Sequence, residues 1–215
     1  MREHPTRDEF WTSRVADLAK FEVPVWLVSS WANAGIHTRG TLEAWDEISS
    51  TEKWIDLNAR KEWSYFYQPE MVAKQMAFFE YTLRGNKDAI ADWPPVLCQV
   101  RDQLKVNHHR TDTQYPLTGT EYRRLYLDAG ASIRSSTYSA DDSLSFSAPS
   151  ASDTVSYDAK TGNATFSWTF TDATELIGPA SLQLWMQAQG ADDADLFIGL
   201  RKYDTDGNEV NFEYL

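Results

Sequence analysis

The stretch FEVPVWLVSSWANAGIHTRGTLEAWDEISSTEKWIDLNARKEW, residues 21–63, decides the fold. Residues 23–28 form a short apolar, β-branched run of the kind that suits a strand covered on both faces. The run ends in a polar segment carrying Trp31, Asn33, His37 and Arg39, and Gly40 leads into a short helix starting near Thr41. Residues 53–57 supply a second strand, again followed by polar residues. Strand, loop, helix, strand, loop is the order of a parallel α/β sheet, which places its chemistry outside the carboxyl ends of the strands. The two loops are therefore where functional side chains are expected.

Outward from this stretch, residues 8–20 read as an amphipathic helix with Phe10, Trp11, Val15 and Leu18 on its apolar side. Residues 69–83 carry a stronger helical pattern. Pro69 suits a first turn, Met71, Val72, Met76, Phe79 and Leu83 recur at near-helical spacing, and Gly85 follows as a stop. The chain changes character over residues 88–95, and after Pro94-Pro95 the pattern turns to strands. Residues 95–101, 122–127, 154–157, 164–170, 180–189 and 195–203 are the candidates. Thr165 to Phe170 alternates polar and aromatic side chains, as a half-buried strand does. Its expected hairpin partner is 154–157, joined through Lys160-Thr161-Gly162-Asn163. The Ser- and Asp-rich residues 132–152 read as a long surface loop or lid.

Composition narrows the function. The net charge of −12 over 215 residues argues against nucleic acid, whose phosphates demand a basic face. The single cysteine, Cys98, lies in an apolar run, which excludes an internal disulfide and a cysteine zinc cluster. No apolar segment approaches the ~18 residues of a membrane span. The first residues, MREHPTRDEFW, lack the apolar region of a secretory signal, so a cytoplasmic location is expected. No cofactor or metal is expected. Asp204-Thr205-Asp206-Gly207-Asn208-Glu209 starts like a calcium loop, but the twelfth position is Leu215, and a hairpin turn at Asp206-Gly207 explains it better. Asp192, Asp193 and Asp195 read as solvated loop charge. His108 and His109, near Asp112, read as a surface pair, because adjacent side chains point different ways.

The loop residues carry a family resemblance. Ser30-Trp31-Ala32-Asn33 followed by His37-Thr38-Arg39-Gly40-Thr41 resembles the segment that supplies the triad acid in the cocaine esterase and X-Pro dipeptidyl-peptidase (CocE/NonD) serine hydrolases. Weaker matches follow in the family's order: Trp54 onward, Gln68-Pro69-Glu70 into a helix ending Leu83-Arg84-Gly85, residues 95–101 and Tyr126-Leu127. The resemblance implies an α/β plus all-β chain. Residues 1–90 would be the C-terminal part of an α/β-hydrolase domain. Residues 91–215 would be an X-Pro dipeptidyl-peptidase C-terminal-like β-sandwich, an incomplete jelly roll of the galactose-binding-like type. A jelly roll needs about eight strands; six candidates precede the segment at 208–215, which ends without a closing turn. The chain is therefore expected to be a fragment of a longer hydrolase, with an open sheet edge suited to self-association.

The same resemblance exposes what differs. The family's acid position holds Asn33, and its histidine position is Asn58 or Glu62, depending on the alignment. No G-x-S-x-G nucleophile elbow occurs, and Ser13, Ser29 and Ser30, which precede Asn33, have no glycine elbow around them. No catalytic triad is intact, so this chain is not expected to turn over the peptide or ester substrates of the intact family. Asn33 can still orient a partner by hydrogen bonding, without stabilising an imidazolium. Trp31, His37 and Arg39 are substrate-binding candidates. Each has a plainer role: a structural tryptophan, a loop histidine bonded to backbone, and an arginine paired with Glu43 or Asp46. An alternative reading is a β-sandwich binding or interaction module for carbohydrate, peptide or a partner chain, with Trp168 and Trp185 exposed on one sheet face.

Overall fold

Three parallel strands carry the stretch that opens the sequence and the strand that follows it. A computed structural model describes residues 3–103, 106–127, 133–137 and 154–210. β1 (Val25–Ser30) pairs in parallel with β2 (Lys53–Asn58), and β2 pairs in parallel with β3 (Val96–Gln103). β4 (Val106–Asp112) adds to β3 antiparallel, with a register shift between Arg101 and Gln103. Strand order is sequence order, β1-β2-β3-β4. The chain clusters into two units, one of Met1–Tyr115 with Ala180–Leu215 and the other of Pro116–Pro179.

Helices cover both faces of the sheet. α1 (Glu9–Thr12) precedes β1, α2 (Arg39–Glu47) joins β1 to β2, and α3 (Glu62–Phe66) and α4 (Pro69–Arg84) join β2 to β3. Alternation along the strands separates two sets of side chains. Ile55, Leu57, Val96 and Cys98 share one face and are fully buried. Lys53, on that face, donates from Nζ to the carbonyls of Trp45 and Ile48 at the end of α2, at 2.6 and 3.2 Å. On the opposite face Trp26 and Trp54 meet Phe78 and Tyr81 of α4, with Trp93 closing the aromatic cluster.

α4 follows the sequence closely. Pro69 opens it, and Gly85 ends it at φ 71, a left-handed conformation that costs glycine nothing. The Gly85 and Asn86 amides donate to the Tyr81 and Glu80 carbonyls, both at 3.1 Å, which satisfies the last turn. The helix expected over residues 8–20 does not form as one piece. Only α1 and a single 3-10 turn at Leu18–Lys20 remain, and neither buries a residue. A short helix is marginal unless packing holds its apolar side, and here Phe10, Trp11 and Leu18 are only half-buried and Val15 is exposed.

Strand pairing in the second half is less extensive among the described residues than the all-β expectation. β5 (Arg123–Leu127) pairs antiparallel with β6 (Ile133–Thr137), so residues read as the start of a surface loop form a strand. Residues 138–152 of that loop lie outside the described residues. Over residues 154–210 the sandwich strands expected at 154–157, 164–170, 180–189 and 195–203 are not formed. The turn of the proposed hairpin exists, with the Thr161 and Gly162 amides donating to the Asp158 carbonyl, but its arms do not pair. Trp185, Phe197 and Leu200 are almost fully exposed. Alternating apolar residues become a strand only when a neighbouring strand and a facing layer take them up, and among the described residues no strand pairs with these segments.

The hairpin turn at Asp206-Gly207 does form. Gly207 sits at φ 83, and Tyr203 and Glu209 form an antiparallel bridge. The Asn208 side chain donates from Nδ2 to Asp204 Oδ2 at 3.1 Å, and the Asn208 and Asp206 backbone amides donate to Oδ1, which together hold the Asp204 carboxyl below the usual range. Its oxygens are spent on the turn. Residues 211–215, the remainder of the segment after it, lie outside the described residues. No helix among the described residues is long and apolar enough to cross a membrane.

Candidate functional site

Both loops after the parallel strands are fixed by side chains from their own strand ends. Ser30, the last residue of β1, is buried. Its hydroxyl donates to the Arg60 carbonyl and accepts from the Ala32 amide, which straps the β1 loop to the β2 loop. Its carbonyl accepts from Thr38 Oγ1 at 2.5 Å, which fixes the far end of the β1 loop. Asn58, the last residue of β2, donates from Nδ2 to the Ser29 carbonyl at 2.7 Å, and its Oδ1 accepts from the Arg60 amide at 3.0 Å. Gln99 of β3 ties both loops to the sheet. Its carbonyl accepts from Trp31 Nε1 at 2.8 Å, and its Oε1 accepts from the Ala59 amide at 2.7 Å.

On this frame Asn33 and Glu62 meet. Asn33 ends a 3-10 turn, Trp31–Asn33, and Glu62 opens α3. Asn33 Nδ2 donates to Glu62 Oε2 at 3.0 Å. The other Glu62 oxygen, Oε1, is buried with no hydrogen-bond partner among the described residues. The structure thus brings Asn33 together with Glu62 and spends Asn58 on the sheet. The pair is an amide donor facing a carboxylate, with no imidazole between them.

The remaining candidates do not converge on this pair. Trp31 is half-buried, and its N–H is used by Gln99. His37 lies on a π-type turn, Ala34–Thr38, with its ring exposed; its carbonyl accepts from Thr41 Oγ1 at 3.0 Å. Arg39 pairs from Nε with Glu43 at 2.8 Å on the exposed side of α2. Of the serines that precede Asn33, Ser29 and Ser30 are buried in β1 and Ser13 is exposed after α1. His108 and His109 point apart on β4, His109 towards Gln99 Nε2 at 3.2 Å and His108 towards Asp102 at 3.3 Å. No group of three or more His, Cys, Asp or Glu is placed to hold a metal among the described residues.

A second polar centre lies on the sheet face under α4. Asp56 of β2 is buried and pairs with Lys74 Nζ at 2.6 Å. The Lys74 ammonium sits 5.8 Å from the Trp26 ring centre and 5.3 Å from that of Trp93. Burial pushes the Asp56 carboxyl up, and Lys74 pulls against that shift. The Trp26 N–H also favours the ionised carboxylate, although it completes no hydrogen bond of good geometry. Burial, and then Asp56 and Glu70, push the Tyr65 hydroxyl up to about 12. An aspartate in the middle of Trp54-Ile55-Asp56-Leu57 was a legible signal, since a charge in a buried strand needs a partner. Gln99 gave no such signal.

The family of the X-Pro dipeptidyl-peptidase C-terminal non-catalytic domain matches residues 88–214. Two crystal structures of a CocE/NonD family hydrolase from Staphylococcus aureus are similar, each 32% identical with a TM-score of 0.58. Each match covers 61% of this chain and 24% of the longer hydrolase, so the chain spans about a quarter of that protein's length. A comparison with curated proteins finds no match.

Proposed function

The chain belongs to the family of the X-Pro dipeptidyl-peptidase C-terminal non-catalytic domain, and we propose that it is a hydrolase scaffold without turnover of its own. The observation that carries this reading is the Asn33–Glu62 hydrogen bond. In a Ser-His-Asp triad the acid accepts a proton bond from histidine, whose other nitrogen takes the proton of the nucleophile. Here the acid position donates, and the facing group is a carboxylate. Glu62 has the wrong polarity to replace histidine as a relay. As a lone base it would need a hydroxyl in reach. The Ser30 hydroxyl is committed to Arg60 and Ala32.

The finer architecture is part of the same proposal. Residues 1–90 would derive from an α/β-hydrolase domain and residues 91–215 from its β-sandwich. The family match over 88–214 and the β5–β6 hairpin support this division. The acidic composition and buried Cys98 support a cytoplasmic setting.

A fluorophosphonate probe tests the reading on purified, folded protein, with peptide mapping of any adduct. No adduct is expected. A stoichiometric adduct on one serine, abolished by heating, would identify a working nucleophile and overturn it. The second reading, a binding or interaction module, draws on Trp185, which is 96% exposed. It requires the Trp185 fluorescence to shift on addition of a carbohydrate, a peptide or a partner chain.

A further inference from the structure

Gln99 is bonded through its carbonyl and through both ends of its side chain, and one of its partners can change charge. Its carbonyl takes the Trp31 N–H and its Oε1 takes the Ala59 amide, which braces both strand-end loops. Its Nε2 turns towards β4, donating to Asn107 Oδ1 at 2.7 Å and lying 3.2 Å from His109 Nε2. Only an acceptor can meet the Ala59 N–H, so the orientation of the Gln99 amide is fixed and its NH2 end faces His109. One hydrogen of that NH2 goes to Asn107 and the other to His109. The His109 Nε2 therefore offers a lone pair, and the neutral ring keeps its proton on Nδ1.

We infer that His109 is a proton-operated latch on the β2 loop: the neutral ring holds Gln99 with Oε1 towards Ala59, and the imidazolium turns the Gln99 amide over and frees the Ala59 N–H. A doubly protonated ring donates from both nitrogens, so its Nε2–H and the Gln99 NH2 would meet as two donors. Turning the amide over replaces that conflict with a bond from the cation to Oε1. A charge-assisted bond of this kind is roughly twice as strong as the neutral one given up at Ala59. Asn107 is exposed and can reverse its own amide to match.

The latch bears on the loop that carries the candidate site. Ala59 precedes Arg60, whose carbonyl accepts from Ser30, and the same loop leads to Glu62 and its bond to Asn33. Asn58 still holds the Arg60 amide, so acid loosens the loop without detaching it. The charges around His109 come from every neighbouring element. On β2, Asp56 is the carboxylate that senses a charge on His109, with Lys74 of α4 paired to it and Tyr65 of α3 near it. On β3, Arg101 shares the Gln99 face by alternation; on β4, His108 and Arg110 flank His109 and lie on the other face.

Nuclear magnetic resonance of the full chain between about pH 8 and 5, the range in which histidine changes charge, tests the latch. Protection of the Ala59 amide, corrected for the intrinsic pH dependence of exchange, should fall about tenfold in acid, the loss expected for one hydrogen bond. Its midpoint should be that of the His109 ring and not that of the Asp56 carboxyl. At neutral pH the ring proton should sit on Nδ1. His109→Gln should abolish the fall, and His108→Gln should keep it. Gln99→Glu puts an acceptor at both ends, so Ala59 should stay protected at either pH. A ring that titrates while Ala59 stays protected means that His109 swings into water alone, and overturns the inference. So does an Ala59 amide already unprotected at neutral pH, a neutral ring with its proton on Nε2, or an unchanged fall in His109→Gln or Gln99→Glu.

Discussion

Asn33 and Glu62 stay together because one donates and the other accepts, and that polarity makes the pair sensitive to a single atom. Asn33→Asp would place two carboxylates where the structure has a 3.0 Å hydrogen bond. Adjacent carboxylates cannot both ionise cheaply, so one would take up a proton at a raised pKa. The variant should lose about 1–3 kcal/mol of stability at pH 7, by the cost of an unmatched buried polar contact. The loss should shrink as pH falls towards the carboxylate range, because protonation restores a donor. Urea unfolding at neutral and mildly acidic pH measures it, and an equal loss at both would contradict the account. Asn33→Asp should still show no hydrolysis, since it supplies neither nucleophile nor imidazole. The sequence revealed that Asn33 differs from the family pattern. It left Asn58 and Glu62 equivalent as partners, because two residues on one loop differ only in which way they point.

At the scale of elements, the Asp56–Lys74 ion pair fastens α4 to β2. Lys74→Met should cost roughly 3–5 kcal/mol, because it leaves a buried carboxylate unpaired. Combining it with Asp56→Asn should recover much of that loss. A double-mutant cycle in urea reads the coupling, and simple additivity would mean that the pair is not what holds the helix. The pH dependence has a fixed sign. Burial raises the Asp56 carboxyl in the folded protein above its model-peptide value of 3.8. Stability therefore falls as pH rises from 3.8 through the folded value, where the folded state holds the extra proton. In Lys74→Met the window should widen upward, with the lost stability regained in acid. α4 was legible because its caps and its helical spacing agree, but of the stripe named from the sequence only Met71 faces the sheet: Val72, Met76, Phe79 and Leu83 are exposed, and Phe78 and Tyr81 make the sheet contacts. The helix at residues 8–20 was misread because periodicity alone cannot tell whether a surface exists for the apolar side to cover.

At the scale of the whole chain, the parts differ in how they are held. Strands β1 to β3 bury side chains, on both faces of β2, whereas residues 180–203 carry Trp185, Phe197 and Leu200 in the open. Proteases cut where backbone is exposed and weakly hydrogen-bonded. Brief chymotrypsin treatment should cleave after Trp185 and Phe197 well before any site within residues 25–112. First cuts inside that sheet region would show that the order of stability is otherwise. The exposure also accounts for the missing sandwich strands, since the alternation of residues 164–170 and 180–189 specifies only one side of a pairing.

By itself the sequence determined the local signals: two strands ending in polar loops, a helix bounded by Pro69 and Gly85, a turn at Asp206-Gly207, and the absence of a nucleophile elbow. These rest on backbone preference and on residue identity, which neighbours along the chain decide. Tertiary structure alone decided that Glu62 and not Asn58 faces Asn33, that Gln99 braces both loops, that β3 joins the parallel sheet, and that the outer stripe of α4 is bare. Each of these depends on groups far apart in sequence meeting in space, and the direction of a side chain is set by the packing around it.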